Sequence, residues 1–361
     1  MRDGHAVLPE RLEALFADLA EQGFVPGRVA WVSRRHAAVI TADGQQDSYI
    51  SRRLQHDGEA SGGEGLPAVG DWVALRPAEG GGSAVVEEVL PRSTTFLRRD
   101  PGEATRVQVV AANVDTVFMM HSLTRPLKPG RLARELVLAY EGGATPVAVL
   151  TKADLVDDPS PGVEAARLVG QELDVRVISN VTGEGIDALA CYLEPGMTVA
   201  LLGPSGVGKS SLVNRLVGAE VRPTGAVRKS DDKGRHVTAS RELIALPGGA
   251  HVIDTPGMRA LGLWEAEGGL SRTFADIQEL ATGCRFRDCA HEHEPGCAVV
   301  QAVEDGTLPA GRLESYRALG KELDHLASEQ EIKARLERKR QDKMLAKSIG
   351  EVYRLKGKPR R

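Results

Sequence analysis

The chain has 361 residues, 42% hydrophobic and 27% charged, a balance that excludes a disordered or fibrous protein and predicts two or three globular domains. No run of about 18 apolar residues occurs, so no membrane-spanning helix is expected, and the N-terminus lacks the basic start and long apolar stretch of a secretory signal. The formal net charge of −4 hides an asymmetry: residues 332–361 hold twelve Lys and Arg against Glu337, Asp342 and Glu351.

In chain order, Leu8, Leu12, Leu15, Phe16 and Leu19 recur at helical spacing, with Pro9 near the start and Gly23 past the end. A short amphipathic helix is predicted, forming an N-terminal extension over 1–24. Over 25–102 the runs VPGRVAWVSRRHAAVIT, DSYISRRL, VGDWVALRP and SAVVEEVLP are short and β-rich, separated by Gly- and Pro-rich turns. That pattern predicts a small β-barrel. Arg28, Arg34, Arg35, Arg52 and Arg53 decorate it, with Trp31, Tyr49 and Trp72 nearby. These supply the cations and aromatic platforms of a nucleic-acid surface, or else surface arginines and core aromatics. From Val107 apolar strand-like runs alternate with helical segments such as RLARELVLAY and SSLVNRLVG. Alternation of this kind predicts a mostly parallel sheet with crossover helices, an α/β domain over 103–258. Residues 222–240 are polar and basic and read as a loop. A region over 259–330 follows, reading as helix, Cys/His cluster, helix, and the basic tail begins at 331.

The stretch Gly203-Pro204-Ser205-Gly206-Val207-Gly208-Lys209-Ser210-Ser211 matches the phosphate-loop pattern, with an apolar strand before it and a helix after it. Glycines let backbone N–H groups turn inward to phosphate oxygens, and the helix N-terminus favours the anion. Lys209 is expected on the β- and γ-phosphates and the Ser210 hydroxyl on Mg²⁺. The loop alone suits ATP or GTP. Thr151-Lys152-Ala153-Asp154, at the end of the strand TPVAVL, makes the choice. A carboxylate there accepts from guanine N1–H and its 2-amino group, whereas adenine would leave it unpaired. The Lys152 stem can lie over the base. Ser179-Asn180 follows another strand and can offer a backbone N–H to guanine O6. Asp254 ends the strand HVI and is a candidate for Mg²⁺, the Gly257 N–H for the γ-phosphate, and Thr238 for a second hydroxyl on both.

The order of these motifs is unusual. TKAD and Ser179-Asn180 precede the phosphate loop, and DTPG follows it, so the domain is circularly permuted. Downstream, Cys284, Cys289, His291 and Cys297 supply three thiolates and one imidazole, a closed set for one structural tetrahedral zinc, with His293 a rival to His291. Three of the four cysteines crowd into this stretch, which argues for a reduced, cytoplasmic protein rather than a disulfide scaffold.

With its GRHVT run (234–238), DTPG and CRFRDCAH (284–291), the chain resembles the circularly permuted bacterial GTPases, and among them the ribosome small subunit-dependent group. The resemblance covers nearly the whole chain. It implies an OB-fold barrel that binds ribosomal RNA, a GTPase stimulated by the small ribosomal subunit late in its maturation, and His291 as the zinc ligand. Thr151 stands where Asn is common, and its hydroxyl can still bond to the phosphate loop; Val237 and Ala239 replace two threonines frequent in the family. The residues after Gly257 are Met258, Arg259 and Ala260, so the water-positioning Gln of Ras-like enzymes is missing. His236 is then the candidate catalytic residue, with RNA contact or loop support as the rival roles. A monomer is expected. The competing function is a nucleotide-gated rRNA-binding scaffold with incidental hydrolysis. An ABC-type ATPase would need an LSGGQ-like signature, which the chain lacks.

Overall fold

The computed structural model describes residues 7–78, 82–100, 103–170, 172–221, 241–254 and 266–328, with Ile332, Leu336 and Lys339. The N-terminal helix α1 (Glu10–Glu21) buries Leu12 and Phe16. Leu15, at the margin of that stripe, is 55% exposed.

Strands β1 (Val25–Val32), β2 (His36–Thr41), β3 (Gly44–Ile50), β4 (Trp72–Arg76) and β5 (Ala84–Val89) close a barrel in the order β1-β2-β3-β5-β4. This is the five-stranded OB arrangement, with helix α2 (Arg52–Ala60) between β3 and β4. Val29, Val39, Val73, Leu75 and Val86 fill its interior. The run DSYISRRL divides at Ser51, whose hydroxyl accepts from the Leu54 N–H at 3.1 Å and caps α2.

Arg28, a surface group in both readings, is buried, and Trp72 takes the core alternative. Arg28 is 2% exposed and Trp72 3%. The Arg28 guanidinium donates to Thr198 Oγ1 at 2.5 Å and to the Asn113 carbonyl at 3.2 Å, lying 5.4 Å from the Trp72 ring centroid. It joins the barrel to the domain that follows, because a guanidinium taken from water needs such acceptors. The strands β6 (Thr95–Asp100) and β7 (Glu103–Ala112), paired antiparallel, lead from one to the other.

The second domain holds β8 (Thr116–Ser122), α3 (Pro129–Glu141), β9 (Thr145–Thr151), α4 (Ser160–Val169), β10 (Asp174–Ile178), β11 (Thr198–Leu202), α5 (Lys209–Val217), β12 (Glu242–Ala245) and β13 (His251–Asp254). Its sheet runs β10-β9-β8-β11-β13-β12; all neighbours are parallel except β12, which pairs antiparallel with β13. The central strands are continuous apolar runs because helices cover both faces. A sheet of this kind gathers its functional loops at the carboxyl ends of the strands.

Helices α6 (Glu267–Thr273), α7 (Ala275–Ala281) and α8 (Ala298–Glu304) follow, then a helix over 310–328. One apolar cluster runs through all three parts, from Phe16 and Trp72 through Val117 and Leu136 to Phe274, Val299 and Leu319. Arg312, 7% exposed, ties the last helix to the sheet domain. It donates to the Val169 carbonyl, to the Thr273 carbonyl at 2.8 Å, and to both Asp276 oxygens at 2.6 and 2.7 Å.

Candidate nucleotide site and metal centre

The phosphate loop turns between β11 and α5 through Gly203, Gly206 and Gly208, at φ +149°, +74° and +107°. At Gly203 a Cβ would stand 2.5 Å from the Met120 carbonyl oxygen, so the loop passes the end of β8 with no room for a side chain. Pro204 is half-buried, Ser205 and Gly206 are exposed, and Val207 is buried. Lys209 Nζ donates to the carbonyls of Gly203 and Pro204 at 2.8 and 2.9 Å, holding the loop closed. Among the described residues no side chain caps α5. Its first turn, with half-buried Ser210 and Ser211, therefore presents backbone N–H groups suited to an anion.

The base-reading motifs converge on this loop. Thr151 ends β9, fully buried, and its hydroxyl donates to the Val207 carbonyl at 2.7 Å. Lys152 follows in the left-handed region at φ +64° and turns the chain into a short 3-10 segment, leaving Ala153 half-buried and Asp154 exposed. Ser179 follows β10, which lies next to β9, and donates to Asp154 Oδ1 at 2.5 Å. That bond orients the carboxylate from one side. Asn180 Nδ2 donates to the Gly208 carbonyl at 3.1 Å. Register places Leu201 beside Asp254, so the 8%-exposed Asp254 carboxylate stands at the same edge. His236, Thr238 and Gly257 lie outside the described residues, as do most of the basic tail and residues 222–240.

Cys284, Cys289, His291 and Cys297 bring their ligating atoms within 4.8 Å of one another. Cys284 Sγ lies 3.6 Å from His291 Nδ1 and 3.8 Å from Cys297 Sγ, and Cys297 Sγ lies 3.4 Å from His291 Nδ1. His293 is exposed and outside this group. Burial, then the neighbouring thiols, push Cys289 up to about 11; burial would raise Cys284 too, but the Val299 and Ala298 N–H groups hold it below its ordinary value. Thiolates this close repel one another, and a metal cation would stabilise them together. The donor set fits a metal ion. Glu294 shapes the ligand loop: its carboxylate accepts from the N–H groups of Ala290, Glu292 and His293 at 2.9, 2.8 and 3.1 Å. Its own N–H and these three hold it at about 2. Nothing in the Cys/His spacing announces this carboxylate.

On the barrel, Arg34, Arg35, Arg52 and Arg53 are exposed, and Tyr49 is 50% exposed with its ring 4.6 Å from His36. Trp31 is half-buried.

A family model described as RsgA GTPase matches residues 89–264. The small ribosomal subunit biogenesis GTPase RsgA of Streptomyces coelicolor is 44% identical over 325 residues, covering 89% of this chain and 87% of its own length. The protein of the same name from Opitutus terrae is 45% identical over 339 residues, covering 91% and 92%. Among solved structures, YjeQ from Thermotoga maritima superposes with a TM-score of 0.62 at 28% identity, covering 83% of this chain and 98% of its own. YloQ, described as a circularly permuted GTPase, gives 0.59 at 27% identity, covering 84% and 96%.

Proposed function

Because the chain belongs to the RsgA GTPase family, and is thereby a GTP hydrolase working with Mg²⁺, we propose that it acts in small ribosomal subunit biogenesis, with turnover stimulated by the subunit. The observation that carries this reading is the convergence of TKAD, Ser179-Asn180 and the phosphate loop at one sheet edge, held by Thr151 to Val207 and Ser179 to Asp154. In this reading Asp154 accepts from guanine, Lys152 covers the base, and backbone N–H groups of 203–211 with Lys209 hold the phosphates. Ser210, Thr238 and Asp254 hold Mg²⁺, which when bound neutralises charge on the phosphates. The Gly257 N–H binds the γ-phosphate and His236 orients the attacking water.

The Cys284, Cys289, His291 and Cys297 set holds one structural zinc. Zn–S and Zn–N bonds of about 2.3 and 2.05 Å at tetrahedral angles imply S···S and S···N edges of about 3.8 and 3.6 Å. The observed edges of 3.8, 3.6 and 3.4 Å support that assignment. Ribosomal RNA is bound by the exposed barrel face of Arg34, Arg35, Tyr49, Arg52 and Arg53, with the basic tail adding phosphate contacts. The protein works in the cytoplasm as a monomer. Its functional divisions are an extension (1–24), an RNA-binding barrel (25–102), the permuted GTPase domain (103–258), the zinc region (259–330) and the tail (331–361).

The test is GTP turnover with and without purified small subunits, with ATP as control. Partner-ordered GTPases gain on the order of 10³–10⁵. Equal turnover in both arms removes the subunit from the reading and leaves a nucleotide-gated scaffold.

A further inference from the structure

Two consecutive carbonyls of the phosphate loop are each held by a side chain from a different base-reading motif. Val207 is held by Thr151 and Gly208 by Asn180, at 2.7 and 3.1 Å. The second tie is close: a Cβ on Gly208 would stand 2.8 Å from Asn180 Nδ2. Asn180 is also gripped from the other side, since Arg215, on the helix that the phosphate loop opens, donates to its main-chain carbonyl at 3.0 Å. The guanidinium of Arg215 lies against Gly183, where a Cβ would meet Nη2 at 2.0 Å. The loop 179–183 is therefore fastened to α5 at two points, one before the helix and one within it. Asn180 Oδ1 is buried with no hydrogen-bond partner among the described residues, and the side-chain hydrogen bond that holds the amide there is its donation to Gly208.

We propose that Asn180 is a positioning residue that sets the phosphate loop through the Gly208 carbonyl, coupling the loop beside guanine to the loop around the phosphates. Its side chain, unlike the main-chain N–H groups of the Ser179-Asn180 pair, reads no base edge. Its side chain raises affinity for guanine nucleotides by preorganising the loop, without changing which base is chosen. This rests on the nucleotide site proposed above.

The experiment compares full-length wild type, Asn180→Ala and Asn180→Asp in equilibrium binding of GTP, GDP and xanthosine triphosphate. Losing one positioning hydrogen bond predicts that Asn180→Ala binds GTP and GDP about tenfold more weakly. Its preference for GTP over xanthosine triphosphate should match wild type. At pH 7.5 Asn180→Asp should bind more weakly still, because a carboxylate replaces the donor facing a carbonyl. As pH falls towards 5 it should recover relative to Asn180→Ala, since a protonated carboxyl donates again; a merely structural role gives no such recovery. Unchanged affinity in Asn180→Ala, an altered base preference, or no acid recovery in Asn180→Asp each overturns the proposal. Failure of the underlying site is separate: wild type would then show no preference for GTP.

Discussion

Replacing Arg312 by Met tests how firmly the metal-binding region is docked on the sheet domain. The wild-type side chain makes four hydrogen bonds: two to Asp276, one to the Thr273 carbonyl and one to the Val169 carbonyl at the end of α4. Removing one partner of a buried ion pair costs about 3–5 kcal/mol, mostly because the other charge is stranded. Here Asp276 is 27% exposed against 5% for the Arg312 side chain, so water rescues part of the carboxylate. Methionine keeps much of the contact with the Phe274 ring, 5.0 Å from the guanidinium. The expected loss is therefore near the lower end, about 3 kcal/mol, against a total stability of about 5–15 kcal/mol. Urea melts followed by far-UV circular dichroism give the loss, and limited proteolysis reports whether the helix over 310–328 is released. The double variant Arg312→Met/Asp276→Leu should regain at least half, since no charge is then stranded. A single-variant loss under about 1 kcal/mol, or a double variant no better than the single, would refute the reasoning.

Three other outcomes are expected. Cys289→Ala, or prolonged chelation of the wild type, should lower zinc from one ion per chain towards none and loosen residues 284–297, read by metal analysis and proteolysis. Thr151→Val keeps the shape but leaves the Val207 carbonyl without its hydroxyl donor, so GDP affinity in a fluorescence titration should fall about tenfold. His251 is 4% exposed with neither ring nitrogen hydrogen-bonded among the described residues, and burial, then the Arg28 charge, lowers it to about 3. The unfolded chain takes up that proton near pH 6.5 and the folded one only near 3, so stability is full above 6.5 and lost as pH falls through that window. The slope approaches about 1.4 kcal/mol per pH unit for this one proton. Urea melts of His251→Leu should show equal or higher stability at pH 7.5 and a shallower acid limb; a steeper limb contradicts the assignment.

The barrel, the permuted order and the Cys/His cluster were legible because each is written in local spacing. Turn-bounded β runs mark the barrel, apolar strands ending in TKAD, the phosphate loop and DTPG mark the sheet, and three cysteines within fourteen residues mark the metal centre. What stayed hidden depends on distant partners. Arg28 looks like a surface arginine until Thr198, 170 residues away, turns it inward. Ser51 sits in a β-like run, and only its bond to Leu54 shows that a helix starts there. Strand β12 is four residues long and recognisable only from its pairing with β13. The Asn180 amide meets Gly208 only because β10 and the phosphate loop open at the same edge.

The strand order carries a consequence for synthesis. β8, β9 and β10 leave the ribosome first and form half a sheet bearing TKAD and Ser179. β8 then exposes a nearly all-buried apolar strand along one open edge until β11, ending at Leu202, arrives to cover it. For the stretch between Ser122 and Thr198 the nascent chain has a sticky, unpaired edge, the kind of surface that recruits chaperones or seeds aggregation. The unpermuted order would make the phosphate-loop strand early; here it arrives fourth, so the phosphate loop forms as β11 covers β8, and the far edge of β11 waits in turn for β13.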